Sequence, residues 1–405
     1  MNRNTHEPDS LPVPDADARA ASMALVALIR DEIAAAGGWL PFDRYMERVL
    51  YCPQLGYYSG GARKFGRLAK DGSDFVTAPE LSPLFARTLA QPVAQALEAS
   101  GTRHLMEFGA GTGRLAAGLI VALEALGVGF DSYSIVELSG ELRARQRETI
   151  EALAGPLSSR VRWLDALPER FEGVALGNEV LDAMPVKLFA RMGGIWHERG
   201  VATRDDALVF EDRRPGERGL TLSDDDSALL SAIDAEIGVD IDYVTESHAA
   251  AAGFTRTVCT MLGRGAALFV DYGFPRSEYY HPQRTGGTLM CHYRHRAHGD
   301  PFFHPGLQDI TAHVEFTRIA EAGVETGADL QGFTSQARFL MNAGITDALG
   351  ELDPTDAVRF LPVANAVQKL LSEAEMGELF KVIAFSRGID GALDAFGRGD
   401  RSHTL

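Results

Sequence analysis

A short glycine-rich turn restricts the fold of this chain more than any other feature of its sequence. Residues 104–108 have the pattern of an apolar strand, residues 109–113 follow as Gly-x-Gly-x-Gly, and residues 114–125 have helical spacing. Glycines at such a turn let the backbone approach a ligand without a clash from a Cβ atom, and they direct N–H groups towards it. The pattern therefore predicts a strand, a ligand-binding turn and a helix in succession.

The spacing of the glycines narrows the kind of ligand. The dinucleotide fingerprint requires Gly-x-Gly-x-x-Gly, and Arg114 occupies its third glycine position, so a nicotinamide enzyme is the weaker interpretation. A Walker A loop requires Gly-x-x-x-x-Gly-Lys, and the sequence contains no such run. The turn therefore fits better a nucleotide-like ligand that is neither a nicotinamide dinucleotide nor a nucleotide held by a Walker A loop.

Strand and helix patterns alternate after residue 103, which is typical of a parallel sheet covered by helices on both faces. A late apolar strand at 380–386 follows a mainly helical block, and we expect it to be inserted antiparallel. The sequence thus predicts an α/β fold with a seven-stranded, mostly parallel, Rossmann-like sheet. Its other strands are expected at 104–108, 133–137, 161–164, 173–176, 266–272 and 329–333, with helices at 19–36, 84–98, 114–125, 139–152 and 309–322.

The remaining segments are expected to surround this sheet. Residues 195–200 and 207–212 have the pattern of a hairpin, and the acidic run 224–226 is interpreted as a solvated face. The predicted organisation is a flexible tail (1–18), an N-terminal helical and lid region (19–100), a core (101–194 and 263–334), an insertion (195–262), a helical insertion (335–377), a final core strand (378–390) and a tail (391–405).

Acidic residues stand at the ends of three predicted strands. Glu107 precedes the glycine turn, Glu137 ends the second strand and Asp165 follows the third. A carboxylate at the position of Glu137 can accept both hydroxyls of a ribose, and Asp165 can accept a hydrogen bond from an adenine amino group. Each residue alone is equally compatible with a helix cap or a solvated loop end. Their order resembles the layout of class I S-adenosylmethionine-dependent methyltransferases.

The segment after the fourth strand occupies the position that faces the reactive methyl group in such a fold, because ligands bind at the carboxyl ends of the strands. Asn178 supplies a neutral acceptor there, and Glu179 and Asp182 supply negative charge. A capping role for Asp182 is as compatible with the sequence as a catalytic one.

Several further segments resemble the MidA family, a group of bacterial and mitochondrial methyltransferases that includes the NADH dehydrogenase (complex I) assembly factor 7. The resemblance extends in family order from about residue 56 to residue 386, with Glu315 where the family is expected to have Asp and a less regular run at 290–292. The matching segments are residues 74–85, 107–113, 178–183, 271–273, 309–314, 332–334 and 376–378.

The resemblance implies a class I methyltransferase fold, S-adenosyl-L-methionine as cofactor and, in mitochondrial members, symmetric dimethylation of an arginine on a complex I subunit. On this basis the catalytic candidates are Glu179, Glu80, Asp182 and His313. The cofactor-binding candidates are Thr77, Pro79, Glu107, Gly109, Ala110, Gly111, Thr112, Gly113, Glu137, Leu138, Asp165, Ala166 and Asn178.

Two of the catalytic candidates keep alternatives. Carboxylates pair bidentately with a guanidinium, so Glu179 is the first choice as a clamp for an arginine acceptor and Glu80, from a lid, the second. Glu80 could equally be a capping partner of the helix that follows it. His313 could contact the acceptor as a hydrogen-bond partner or base, or serve as a buried polar anchor in a helix.

Charge and composition restrict the partners. The 405 residues carry a formal net charge of -17, which disfavours nucleic acid and anionic lipid surfaces and suits a cationic acceptor. The three cysteines are too scattered for a disulfide framework, and the apolar run at 20–29 is too short to span a bilayer. The acidic N-terminus differs from a mitochondrial leader, so we expect a cytoplasmic protein of unknown oligomeric state that inserts in no membrane.

Two loops carry weaker signals. The histidine-rich run 291–298 suggests a metal at first sight, but Gly286, Gly287 and Pro301 nearby favour a surface or substrate-contacting loop, and no cysteine pair completes a site. We therefore expect no metal. The glycine-rich segment 59–66 is either an ordered flap or a surface connector.

Three functions remain compatible with the sequence. A protein arginine methyltransferase needs an acidic groove that reaches the methyl site. A small-molecule methyltransferase would close its pocket with the insertion at 195–247. A non-catalytic assembly protein could retain the glycine turn for structural reasons, and it would then bind no S-adenosylmethionine.

Overall fold

A computed structural model of the chain describes residues 11–59 and 77–405. The predicted flap beyond Ser59 and the start of the matched segment, residues 74–76, lie outside the described residues. The described chain forms two compact units. Unit 1 contains residues 11–59, 182–251 and 276–313, and unit 2 contains residues 77–181, 252–275 and 314–405.

The strands and helices are numbered along the chain. The strands are β1 (Leu40–Pro41), β2 (His104–Phe108), β3 (Ser132–Val136), β4 (Val161–Leu164), β5 (Phe171–Asn178), β6 (Lys187–Met192), β7 (Ile195–Arg204), β8 (Ala207–Arg213), β9 (Tyr243–Ser247), β10 (Leu262–Phe274), β11 (Met290–Tyr293), β12 (Arg296–His298), β13 (Asp309–Thr311), β14 (Val314–Glu315), β15 (Asp329–Ser335) and β16 (Phe380–Arg387). The helices are α1 (Ala16–Ala35), α2 (Phe42–Tyr51), α3 (Ala78–Leu81), α4 (Pro83–Ser100), α5 (Arg114–Ala125), α6 (Gly140–Ala154), α7 (Asp224–Ile237), α8 (Ala249–Met261), α9 (Arg276–Tyr279), α10 (Phe316–Val324), α11 (Gln336–Asn342), α12 (Ile345–Gly350), α13 (Ala357–Leu371) and α14 (Met376–Leu379).

The sheet of unit 2 has eight strands. Seven follow one another in the order β15, β16, β10, β5, β2, β3 and β4, and β14 pairs with β10 in addition. Strands β2, β3, β4, β5 and β10 run parallel, whereas β16 is antiparallel to both β10 and β15. The predicted α/β fold with an inserted antiparallel strand is confirmed. The count of seven is not, because the two-residue strand β14 is too short to produce a period in the sequence.

The order of the strands determines where a ligand can bind in unit 2. The chain proceeds from β2 outward to β3 and β4, and then returns to place β5 on the other side of β2. Phe108 pairs with Gly177 across β2 and β5, so these strands end side by side. In open α/β sheets the crevice at such a reversal of strand order is the binding position. The glycine turn follows one of these strands and Asn178 ends the other.

Local signals account for the helices that pack on this sheet. Ser82 caps α4 by accepting a hydrogen bond from the Leu84 N–H, Pro83 occupies the first turn, and Gly101 ends the helix in the left-handed conformation at φ 65°. Apolar side chains of the helices and strands, among them Val93, Ile120 and Leu268, are buried together.

Unit 1 has its own sheets. Strands β1, β7, β6 and β9 are neighbours in a five-stranded antiparallel sheet, with β8 paired to β7, and β12, β11 and β13 form a second sheet. The predicted hairpin is confirmed as β7 and β8. Helices α1 and α2 bury apolar side chains such as Ile29 and Met46 in the same core as Val201.

One local prediction was wrong and another holds only in part. The expected helix at 309–322 is replaced by β13, β14 and α10, and α10 begins only after Glu315, whose side chain accepts a hydrogen bond from the Arg318 N–H. In the acidic run, Asp224 and Asp225 are exposed as predicted, but Asp226 is buried. The run forms the first turn of α7, where carboxylates suit the helix dipole, and Asp226 is buried against Lys187.

The units divide the chain differently from the predicted domains. Residues 182–194 and 276–313 are part of the predicted core but belong to unit 1. Residues 77–100 are part of the predicted N-terminal region but belong to unit 2. Among the described residues, every helix is too short or too polar to span a bilayer.

Candidate active site

The glycine turn after β2 depends on backbone conformations that only glycine adopts readily. Gly109, Gly111 and Gly113 have φ values of 62°, 51° and 85°. A side chain in this left-handed region is strained, and a Cβ atom on Gly109 would lie 3.0 Å from Cγ2 of Val180. The turn can therefore present its backbone at the carboxyl end of β2, as its sequence predicted.

Gln146 on α6 holds the glycine turn in place through its side-chain amide. Its side chain is fully buried, and Nε2 donates to the carbonyl of Gly111 at 3.2 Å and to Oε2 of Glu137 at 3.1 Å. Its Oε1 accepts from the indole N–H of Trp163 at 2.8 Å. Sequence reasoning missed this residue. The available signal was its spacing of four from the buried Ile150 and eight from the buried Ala154, which puts a polar side chain on an apolar helix face.

Glu137 follows β3, and each of its two carboxylate oxygens accepts one hydrogen bond. Oε1 accepts the N–H of Ser139 at 2.9 Å, and Oε2 accepts from Gln146. A carboxylate offers about four lone-pair positions, so it retains capacity for the hydroxyls of a ribose. The adjacent Leu138 side chain is 80% exposed and takes no part in the core.

Asp165 lies just beyond β4, and its side chain is 88% exposed. Arg143 on α6 binds its Oδ1 at 2.7 Å and also donates to the carbonyls of Leu164 at 2.9 Å and Glu137 at 2.6 Å. One arginine thereby fixes the ends of β3 and β4, while Asp165 and the exposed Ala166 remain accessible to solvent.

Glu107, in β2, is buried against the neighbouring strand. Its Oε2 accepts a hydrogen bond from the hydroxyl of Tyr133 at 2.6 Å. Burial raises the pKa of Glu107 to about 7, and the hydrogen bond from Tyr133 opposes part of that rise. Near pH 7 this carboxyl group is therefore protonated in a large fraction of molecules, whereas an exposed glutamate is almost fully ionised.

The segment after β5 contains the most unusual backbone position of the site. Glu179 has φ 54°, a left-handed conformation that costs a side-chain-bearing residue stability and that is uncommon outside turns and functional sites. Its N–H donates to the carbonyl of Val270 at 2.8 Å, and the Asn178 side-chain amide donates to Glu179 Oε1 at 3.0 Å. The other amide atom, Oδ1 of Asn178, is buried without a hydrogen-bond partner among the described residues.

Asp271 holds this segment in place from β10. It is fully buried, and its Oδ2 accepts the N–H groups of Val180 at 3.0 Å and Leu181 at 2.8 Å. The carboxylate replaces the hydrogen bonds that the chain loses as it leaves β5. In the sequence Asp271 is marked only by the matching segment 271–273, and the fold shows that it supports the backbone that follows Glu179.

Glu80 lies on the short helix α3 and contacts the glycine turn. Its carboxylate accepts a short hydrogen bond from the Thr112 hydroxyl and pairs with Nε of Arg114 at 2.8 Å. The side chain is 9% exposed. Thr77 precedes α3 and its carbonyl accepts the N–H of Glu80 at 3.0 Å, with Pro79 in the first turn. These contacts favour a structural role for Glu80, and its catalytic role stays a prediction.

Asp182 and His313 belong to unit 1. Asp182 is 6% exposed, and its carbonyl accepts the N–H of Ala312 at 3.0 Å. His313 is 5% exposed and lies between β13 and β14 rather than in a helix; its N–H donates to the Thr288 hydroxyl at 3.0 Å. Their catalytic roles stay predictions.

The histidine-rich run is a hairpin and not the expected loop. Strands β11 and β12 pair antiparallel through a two-residue turn, in which Arg294 and His295 have φ values of 49° and 60°. Such primed turns are normally marked by Asn-Gly or Asp-Gly, and Arg-His stands here instead, so no local signal predicted the turn. Among residues 11–59 and 77–405, no cluster of His, Cys, Asp or Glu side chains is arranged to hold a metal ion.

The donors and acceptors at the carboxyl ends of β2, β3 and β5 fit S-adenosyl-L-methionine. The turn offers backbone without Cβ atoms, Glu137 offers a carboxylate for a ribose, and the buried Oδ1 of Asn178 offers an acceptor for an ammonium group. Together with the α/β sheet, these features are those of an S-adenosylmethionine-dependent methyltransferase.

The comparison with protein families agrees with that class. The family described as "Putative S-adenosyl-L-methionine-dependent methyltransferase" matches residues 85–334, which is more than half of the chain. The chain belongs to this family, and its cofactor is S-adenosyl-L-methionine.

Known proteins of similar sequence and structure support the assignment. A Burkholderia thailandensis protein crystallised with S-adenosyl-homocysteine is 72% identical, with a TM-score of 0.93 and coverage of 98% of this chain and 100% of that one. The mitochondrial protein arginine methyltransferase NDUFAF7 homolog of Caenorhabditis elegans is 27% identical over 80% of this chain and 76% of its own length. Human mitochondrial protein arginine methyltransferase NDUFAF7 is 26% identical over 86% and 80%.

Proposed function

We propose that the protein is a protein arginine methyltransferase that dimethylates its acceptor symmetrically, with Glu179 as the carboxylate that orients the guanidinium. The strained backbone of Glu179 at the carboxyl end of β5 is the observation that carries the proposal. The names of the relatives from Caenorhabditis elegans and human support the arginine acceptor, and the family resemblance makes a respiratory complex I subunit the first candidate substrate.

The charge of the protein agrees with such an acceptor. A formal net charge of -17 attracts a cationic substrate and repels a polyanion. A guanidinium has a planar set of N–H donors that matches a carboxylate in a bidentate pair, which fixes both position and orientation. Glu179 supplies this carboxylate, and the donor bond from Asn178 to its Oε1 limits the rotation of the carboxylate group.

When bound, S-adenosylmethionine supplies an electrophilic methyl group for in-line transfer, so the residues of the chain mainly have to position the acceptor. Asp271 keeps the backbone of residues 180 and 181 in register, and the carbonyl of Val270 holds the N–H of Glu179. The new carbon–nitrogen bond would form as the carbon–sulfur bond of the donor breaks, and the nitrogen would then release one proton to water. A carboxylate beside the guanidinium stabilises the positive charge that the nitrogen carries in between.

The cofactor side of the proposal uses the residues of unit 2 that lie around the turn. Gly109, Ala110, Gly111 and Gly113 would lie under the carboxypropyl end, with Glu137 on the ribose. Thr77, Pro79, Glu107, Thr112, Leu138, Asp165, Ala166 and Asn178 complete the predicted set. Calorimetric titration with S-adenosylmethionine tests this side, and an absence of binding would favour the non-catalytic alternative.

The acceptor side is tested with Glu179→Gln. The amide keeps the shape of the side chain but removes its charge, and a lost charged hydrogen bond is worth about 1.5 to 3 kcal/mol, or about ten- to a hundredfold in rate. Transfer to arginine peptides, and to the same peptides with Lys in place of Arg, is measured by mass spectrometry beside cofactor affinity. The control is Glu124→Gln on the exposed face of α5.

We expect Glu179→Gln to slow transfer by about ten- to a hundredfold while its cofactor affinity stays close to that of the parent, and Glu124→Gln to change neither. Full activity of Glu179→Gln would contradict the clamp. A loss of cofactor affinity would instead assign Glu179 to the cofactor side. Methylation of a small molecule by a parent protein that leaves every arginine peptide unmodified would contradict the arginine acceptor itself.

A further inference from the structure

Unit 1 contains a charged cleft of about 410 Å³ that no part of the proposed catalytic site uses. Its volume falls within the range of about 300 to 1,000 Å³ that is usual for pockets binding small ligands or side chains. The wall is built by α2, by the start of β6 and by the start of α8. The residues that line it are Asp43, Arg44, Glu47, Tyr51, Pro185, Lys187, Ser247, Ala249 and Ala250.

Both basic side chains of the cleft already have acidic partners. Arg44 donates to the Glu47 carboxylate through a short hydrogen bond and lies 3.7 Å from a Glu32 oxygen. Nζ of Lys187 binds Oδ2 of Asp226 at 2.7 Å, and Asp226 is 3% exposed. These cations are therefore neutralised within unit 1 and have little remaining attraction for an anionic ligand.

Asp43 differs from the other acids of the cleft. Its Oδ1 accepts the N–H of Arg44 at 2.8 Å, and within the described ranges no basic side chain forms an ion pair with it. The residue is half-buried, and burial raises the pKa of Asp43 although Lys187 and Arg44 oppose the rise. A partly desolvated carboxylate of this kind is stabilised when a cation binds beside it.

Tyr51 supplies an aromatic wall. It is 39% exposed, its ring stacks on that of Tyr58 at 5.5 Å, and its hydroxyl donates to the carbonyl of Ala183 at 2.9 Å. The hydroxyl bond and the stacking hold the ring in place, and the ring lines the cleft, where a guanidinium or ammonium group can lie beside it. Ala249 and Ala250 add small apolar side chains that can cover the aliphatic stem of a Lys or Arg.

We infer that this cleft binds a second basic side chain of the protein substrate, with the Asp43 carboxylate as its anchor and the Tyr51 ring as its wall. The inference rests on the proposed function, because it assumes a polypeptide acceptor. Pro185 and Lys187, which line the cleft, follow Glu179 by six and eight residues in the chain. The same segment of sequence thus supplies the proposed acceptor clamp and one wall of the cleft.

The test measures peptide binding to the full-length protein saturated with S-adenosyl-homocysteine, so that no methyl transfer is needed. The probes are fluorescent eleven-residue Gly/Ala peptides with one central arginine and one lysine, which is moved through the other positions. Their controls carry norleucine in place of the lysine. The variants are Asp43→Asn, Asp43→Glu and, as a matched control, Asp205→Asn in the exposed turn between β7 and β8.

We expect at least one lysine position to strengthen binding by about tenfold, since a charge-assisted bond in a half-buried site contributes on this scale. Asp43→Asn should remove the preference, Asp43→Glu should restore part of it, and Asp205→Asn should keep it. A parent protein without any preference for lysine, or an Asp43→Asn variant that keeps the preference, would overturn the inference.

The same peptides separate this inference from the proposed function. If the parent methylates arginine but binds the lysine and norleucine peptides equally, the cleft is wrong and the arginine acceptor stands. If the lysine preference depends on Asp43 but no arginine is methylated, the cleft stands and the proposed acceptor is wrong.

Discussion

The glycine turn of unit 2 and the charged cleft of unit 1 are held in place by different means. The turn is made by the backbone of consecutive residues, and its shape comes from φ values near 50° to 85° at Gly109, Gly111 and Gly113. The cleft is made by side chains of α2, β6 and α8, which are far apart in sequence and joined through pairs such as Lys187–Asp226. Changes at the turn should therefore abolish binding, whereas changes at the cleft should alter charge and stability by degrees.

The two units also bury a carboxyl group of similar acidity for partly different reasons. Burial raises the pKa of Glu107 in unit 2 to about 7 against the effect of its Tyr133 hydrogen bond. In unit 1, burial raises the pKa of Glu198 to about 7, with Asp43 and Asp226 adding to the rise and Lys187 opposing it. The two pKa values are therefore equal although the surroundings differ: Glu107 has an uncharged hydrogen-bond partner, whereas Glu198 lies among charged side chains.

The largest effect is expected from Gly111→Val. A β-branched residue at φ 51° is strained by about 1 to 3 kcal/mol, and its side chain would stand in the turn that is the proposed cofactor site. We expect the affinity for S-adenosylmethionine to fall by about a hundredfold or more, as measured by calorimetric titration of protein whose folding has been checked by circular dichroism.

Gly350→Val provides the control for this change. It introduces the same side chain at the end of α12, where a Cβ atom would meet nothing within 4 Å. It should bind the cofactor like the parent. A folded Gly111→Val variant with unchanged affinity would contradict the position of the cofactor at the turn.

The next effect in size is expected from Lys187→Met. Removal of the ammonium leaves the buried Asp226 carboxylate with Ser223 and Ser247 but without its ion partner. Breaking a buried pair from one side costs about 3 to 5 kcal/mol, and we expect about 3 because the two hydroxyls remain. Urea unfolding at pH 7 measures the loss, and Lys187→Met combined with Asp226→Asn should recover much of it. Equal stabilities of the parent and Lys187→Met would show that the pair contributes no net stability.

The smallest effect is expected from Glu107→Gln, and it depends on pH. The carboxyl pKa is about 7 in the folded protein and 4.5 in the reference state, so the folded protein binds more protons between these values. Its contribution to stability is complete below about pH 4.5 and is lost as the pH rises through 7. The full shift corresponds to about 3 kcal/mol, and about 2 to 3 kcal/mol of it is lost between pH 5 and pH 8.

Glu107→Gln removes this titration, so its free energy of unfolding should fall less than that of the parent between pH 5 and pH 8. Denaturant unfolding at several pH values within this range measures the difference. Glu124→Gln, on the exposed face of α5, is the control and should keep the pH profile of the parent, whereas Glu198→Gln should flatten the profile too because its pKa is also about 7. Parallel pH profiles for Glu107→Gln and the parent would contradict the raised pKa.

Much of the fold of unit 2 could be predicted because its signals are local. The strand, the three glycines and the helix of residues 104–125 stand within one short segment, and each glycine is needed for its own backbone angle. The supports of the site could not be predicted in this way. Gln146 and Asp271 act on residues 35 and about 90 positions away, and only the packed sheet brings them there.

The sequence by itself determined the alternation of strands and helices, the ligand-binding turn and the excess of negative charge, because periodicity, glycine conformation and ionisable residues are properties of short segments. The tertiary structure decided the eighth strand, the hairpin that carries the histidines, the burial of Asp226 and the strained position of Glu179. Each of these depends on what the rest of the chain places beside the residue. A lysine, a neighbouring strand or a buried aspartate can override a local preference that amounts to no more than about 1 kcal/mol per residue.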